Sequence, residues 1–179
     1  MGIVCLKKGY NQVALPAEEN PIMNPLLETW QINARITLYV LGAVAPEALK
    51  AGKALKLRTV AAQFAHIHNV RLMWLKEAAP DLLEGLDASG AGKFDLALNP
   101  DATELRTALD ASAGAISVLL ERGLESGKIR GFKPHATAFL GYLIAHESYH
   151  RAEIGIILTH AGHPLEKKVA FGMWEWGVR

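Results

Sequence analysis

His146 and His150 stand four residues apart, inside an apolar run from Phe139 to Leu158 that contains no proline. Such a run reads as one helix, and a spacing of four puts both imidazoles on one face, about one turn apart. At ~100° per residue, Phe139, Leu143, His146, His150, Glu153 and Ile157 form a stripe roughly 80° wide. Two imidazoles and a carboxylate are thereby expected to point at the interior. Polar groups buried there cost free energy unless they are hydrogen-bonded or bound. A divalent metal would satisfy both rings at once; core histidines tied to side chains or carbonyls would need none.

The elements that must position these groups can be taken in order. Residues 1–21 are polar and punctuated by proline, which suggests an extended lead-in. The first helix is expected from Asn24 or Pro25 to Ala43, with Asn24 as cap and Pro25 at the first helical position. Pro46 stops it, and residues 45–50 suit a short extra turn. Thr59 caps a second helix, from Val60 to Ala78, closed by Pro80. Residues 80–100 carry three glycines and are too long for a simple helix hairpin, so they suit a crossover along the molecule. A third helix is expected from Asp101 to Glu125, and a fourth from Pro134 to near Gly162, with Pro164 beyond its end. Nothing reads as a strand. The expectation is an all-α chain, one four-helix bundle domain over residues 1–179 with an aromatic tail, 165–179. Trp174 and Trp176 in that tail are expected to cover an end of the bundle or a partner subunit, and a homodimer is expected.

The chain has 179 residues, 50% of them hydrophobic, and a net charge of +1, which suits a globular domain with a real core. That balance gives no case for nucleic acid. The one cysteine, Cys5, excludes an internal disulfide and any CxxC metal site. No secretory leader is evident, and the charges in 139–158 argue against a membrane span, so a cytoplasmic protein is expected.

Two histidines do not complete a zinc site, since catalytic zinc usually takes three protein ligands and keeps one position open. The second helix offers His66 or His68, which lie roughly 200° apart and cannot both face one site. Periodicity favours His68, whose stripe holds Leu57, Ala61, Phe64, Leu72 and Leu75. The stripe of His66 is mixed: Thr59, Ala62, Gln63, Asn69, Val70 and Met73.

From about Leu26 to Pro164 the sequence resembles the DinB/YfiT-like family of metal-binding four-helix bundles. The resemblance rests on Thr59 with His66 seven residues later, on His146-Glu147-Ser148-Tyr149-His150-Arg151-Ala152-Glu153-Ile154, and on Leu158-Thr159-His160-Ala161-Gly162-His163-Pro164. It implies up-down-down-up topology, with the long crossover between helices 2 and 3. It also implies a divalent metal on one histidine of the second helix and two of the fourth, by position His66, His146 and His150. Zinc or nickel is expected, with iron or copper also suited to imidazole. Members of the family include thiol-dependent S-transferases. The resemblance thus implies a metal-dependent transferase or hydrolase acting on a small molecule, with a low-molecular-weight thiol as co-substrate and no catalytic residue assigned. The alternative is a non-catalytic metal-binding or stress-response protein. Glu153 could be a fourth ligand, an acceptor behind a ligand, a general base or half of a buried ion pair. Glu147 and Arg151 read as bundle surface or helix–helix pairs.

Overall fold

The computed structural model describes residues 24–88 and 90–179, so the expected lead-in and Cys5 lie outside the described residues. Among them every regular element is helical and no strand occurs. Helix α1 (Pro25–Gly42) starts where Asn24 accepts a hydrogen bond from the Leu26 amide at 3.0 Å. Helix α2 (Val60–Ala78) starts on Thr59, whose hydroxyl accepts from the Ala62 amide. Two 3-10 turns, Pro46–Lys50 and Lys53–Leu55, lead to that cap. Between them Gly52 adopts φ 130°, and a Cβ there would collide with the Arg58 carbonyl. Helix α4 (Ala102–Ser126) opens with a reciprocal capping box between Asp101 and Glu104 and ends at left-handed Gly127. Helix α5 (Ala136–His160) is capped by the His135 ring, which accepts from the Ala138 amide; each such cap contributes about 1 kcal/mol.

Residues 80–100, expected as a crossover with no helix assigned to it, contain helix α3 (Pro80–Ala88). Its Pro80 and Gly85 are turn residues by type, but Leu82, Leu83 and Leu86 have an apolar surface to cover, and they pack on the core. Burial outweighs local propensity here. The tail adds helix α6 (Lys167–Gly172) and a final 3-10 turn, Trp176–Val178.

Helices α4 and α5 each pack against both α1 and α2. The interior has two apolar clusters. One is built on Trp30 and Ala34 of α1, Leu72 and Leu75 of α2, Ile116 and Leu120 of α4, and Phe139 and Leu143 of α5. The other takes Val40 and Leu41, then Phe64 and Ile67, then Leu105 and Leu109, then Ile154 and Leu158. Where these two sets meet, each of the four helices contributes buried polar residues: Asn33 and Thr37, Arg71, Ser112, and Glu147 with Arg151.

This polar layer decides between the two readings of Glu147 and Arg151: at 1% and 7% exposed they are helix–helix pairs, not surface groups. Arg71 forms a two-point ion pair with Glu147, at 2.8 Å from Nε to Oε1 and 3.0 Å from Nη2 to Oε2. Asn33 donates to the same carboxylate, and Arg151 donates to the Thr37 hydroxyl and the Asn33 side-chain Oδ1. The inward face of α5 is therefore turned by roughly 60° from the expected stripe, of which Phe139, Leu143, His150 and Ile157 stay buried. His146 moves out to the rim, half-buried, while His150 stays buried.

Of the two expected roles of the tail, the structure bears on the first, covering an end of the bundle. The tail runs along α1, where the Tyr39 hydroxyl donates to the Lys168 carbonyl and the Arg179 guanidinium lies 3.9 Å from the Tyr39 ring centre. Trp174 and Trp176 line a small cavity with Ile36 and Arg151 on the flank of α1 and α5. They do not cover an end, and Trp174 remains 78% exposed.

Candidate metal centre

Helix α2 presents His66 toward α5, and α5 presents His146 and His150 one turn apart. One ligand nitrogen from each of the three lies within 4.8 Å of the others. The ring centres are 4.6 Å apart for His66 and His150, 4.6 Å for His146 and His150, and 5.5 Å for His66 and His146. The other candidate, His68, points away: it is fully buried, and its Nε2 meets the Gly92 carbonyl at 3.1 Å. Its apolar stripe marks burial, whereas the mixed stripe of His66 marks a groove between helices. His160 and His163 are exposed beyond this centre, and His135 is used as a cap.

His150 is the most firmly held of the three. Its Nδ1 lies 2.8 Å from Gln63 Oε1 and 3.1 Å from Glu153 Oε2. Gln63 in turn donates its amide to Glu153 Oε2 at 2.9 Å, which orients the amide oxygen at the ring. Two acceptors facing Nδ1 keep the proton there, so Nε2 carries the lone pair. That lone pair faces His146 Nε2 at 3.1 Å. Two lone pairs cannot face each other at that distance without a proton or a cation between them. His146 Nδ1 is buried with no hydrogen-bond partner among the described residues, and its ring is set instead by stacking on Tyr142 at 6.0 Å.

All three rings are held neutral. Burial lowers the pKa of His66 to about 4, helped by the Arg58 charge and the two neighbouring imidazoles. Burial likewise lowers His146, assisted by His150, and lowers His150 against the opposing pull of Glu153. A neutral imidazole is the ligating form.

A model of the DinB family matches residues 20–169. The chain belongs to the DinB family. No curated protein and no solved structure is significantly similar to it. The three positions that the family resemblance implies are thus the ones that this DinB-family fold brings together. The donor set fits a divalent ion: three neutral imidazoles suit zinc or nickel. The 3.1 Å between Nε2 atoms is close to the ~3.3 Å edge of a tetrahedron with bonds of ~2.0 Å. His66, His146 and His150 would hold the ion. Glu153 would not, because one of its oxygens is taken by His150 and Gln63 and the other by the Tyr149 hydroxyl at 3.0 Å.

Sequence reasoning named Gln63 only as part of the His66 stripe, without a role, and missed Tyr149. Gln63 shares a face with His66, three residues earlier, and a polar residue on a ligand's stripe was the signal available for it.

The depressed imidazoles fix a pH window. The unfolded chain, with histidines near 6.5, binds more protons than the native chain between about 6.5 and 4. Stability of the metal-free protein is therefore expected to fall as pH drops through that window and to level off below it, as far as His66 is concerned. Urea midpoints from pH 8 to 4 for wild type and His66→Asn measure this; equal slopes in the two would refute it.

Proposed function

We propose that this DinB protein is a three-histidine, divalent-metal enzyme of the thiol S-transferase or hydrolase type, with zinc or nickel on His66, His146 and His150. The convergence of three neutral imidazoles, with no fourth donor grouped with them among the described residues, carries this reading. Glu153 would close a structural site; its engagement behind His150 supports an open one. When bound, such an ion supplies Lewis acidity that yields a nucleophile from water or a thiol near neutral pH.

The chain's own residues have distinct tasks. Gln63 and Glu153 keep the proton on His150 Nδ1 and so aim its Nε2 at the centre. Tyr149 donates to Glu153 and restrains it. Tyr142 fixes the plane of the His146 ring. The up-down-down-up course belongs to the same proposal. Its support is that α1 and α5 contribute first to the Trp30–Phe139 cluster and then to the Val40–Ile154 cluster, while α2 and α4 meet them in the reverse order. Among the described residues no helix is long and apolar enough to cross a membrane.

The test is metal content by elemental analysis of tag-free protein reconstituted with zinc or nickel. Wild type and His68→Ala are expected to hold close to one ion per chain, and His66→Ala to lose it. Retention by His66→Ala with loss from His68→Ala would reverse the ligand assignment. A folded wild type that holds no ion would remove the reading altogether.

A further inference from the structure

His66 belongs to two places at once. One side of its ring meets the other histidines, and the residue also lines a cavity of about 510 Å³ between α2 and Leu83, Lys93 and Leu96. The outer wall of that cavity is built deliberately. Asn69 clamps residue 94 at both backbone atoms, donating to the Phe94 carbonyl and accepting from its amide, each at 2.9 Å. One residue earlier, His68 meets the Gly92 carbonyl. These contacts strap the connection across α2 and leave a furrow beneath it.

The chemistry of the furrow is specific. Val70, Leu72, Met73, Leu83 and Leu96 make its walls apolar, and Met73 remains 51% exposed there. Lys76 and Lys93 line it as well, both exposed, and neither is in an ion pair among the described residues. No described carboxylate lines it. His66, Val70, Met73 and Lys76 follow one another along a single stripe of α2, with a rise of roughly 15 Å from first to last.

We propose that this cavity receives the apolar body of a small amphipathic anion, with its acid group at Lys76 and Lys93 and its opposite end beside His66. This adds a substrate class to the metal site proposed above and rests on that reading: an apolar carboxylic acid whose far end carries the reacting group. An uncharged apolar molecule would forfeit the two lysines. A cation would be repelled by them, and a bulky polar molecule would leave the leucine and methionine walls unpaired.

Octanoate and 1-octanol are the probes, titrated calorimetrically into metal-free protein, wild type beside Lys76→Met/Lys93→Met. Both lysines are exposed, so the double variant is expected to fold as wild type does. The ratio of octanoate to octanol affinity is expected to fall roughly 3–30-fold in the double variant, and to fall in wild type as salt is raised. An unchanged ratio overturns the proposal. In cobalt-loaded protein, 8-mercaptooctanoate is expected to produce a sulfur-to-cobalt absorption band that octanoate suppresses by competition. A band that octanoate leaves untouched separates the cavity from the metal and also overturns the proposal. Cobalt that is not retained, with the lysine-dependent preference intact, refutes the metal reading and leaves the cavity as an acid-binding site.

Discussion

Replacing Glu147 with alanine is expected to destabilise the fold by about 3–5 kcal/mol, the largest single-residue loss in this chain. Its carboxylate is the counter-charge for two buried guanidiniums. Arg71 pairs with both oxygens, and Arg151 Nη1 lies 3.8 Å from Oε2. Asn33 donates to the same group at 2.8 Å and the Thr37 hydroxyl approaches it at 3.3 Å. Without the carboxylate, the neutral contacts of the arginines survive: Arg71 to the Leu109 carbonyl and Ser112, Arg151 to Thr37, Asn33 and Ser148. Their charges do not stay compensated. Burial already lowers the Arg151 pKa, a tendency that Glu147 opposes. A domain of this size has a total stability of about 5–15 kcal/mol, so the loss is a large fraction of it. Urea unfolding reads the effect directly. The pair Glu147→Leu with Arg71→Met is expected to recover part of the loss, because it removes a charge together with its partner. A Glu147→Ala protein within 1 kcal/mol of wild type would mean that water reaches this layer.

The same layer shows where the sequence was legible. Helix starts were readable because caps are local chemistry: Asn24, Thr59 and Asp101 each satisfy amides two or three residues ahead. The grouping of His66 with His146 and His150 was legible only through family resemblance. Periodicity pointed to His68, and as a statement about burial that was right. The inward face of α5 was not legible. The helix is apolar nearly all round, from buried Ile154 to exposed Ile156, so hydrophobic pattern alone does not orient it. What orients it is the partner of Glu147, an arginine 76 residues earlier, and no local rule links the two. Helix α3 was hidden for a similar reason: its leucines count only once α2 and α4 are there to receive them.

His150→Ala is expected to weaken metal binding by more than ~100-fold, the largest functional effect among the three ligands. Removing either other histidine deletes one donor. Removing His150 deletes a donor and strands the groups that orient it, since Gln63 Oε1 and Glu153 Oε2 both face its Nδ1. The ring also stands between the other two, at 4.6 Å from each. Gln63→Ala separates the two contributions. It leaves all three imidazoles in place and removes the nearer of the two acceptors facing Nδ1, so its loss is expected to be roughly 10–100-fold, the usual range for a partner behind a ligand. Competition with a chromophoric chelator measures both variants, with circular dichroism confirming that each is folded. The order wild type, Gln63→Ala, His150→Ala is the prediction. Equal affinity in wild type and His150→Ala would remove His150 from the centre. A Gln63→Ala loss as large as that of His150→Ala would mean that orientation, and not donor number, sets the affinity, since a ring free to turn loses the pre-set Nε2 direction on which the other two histidines converge.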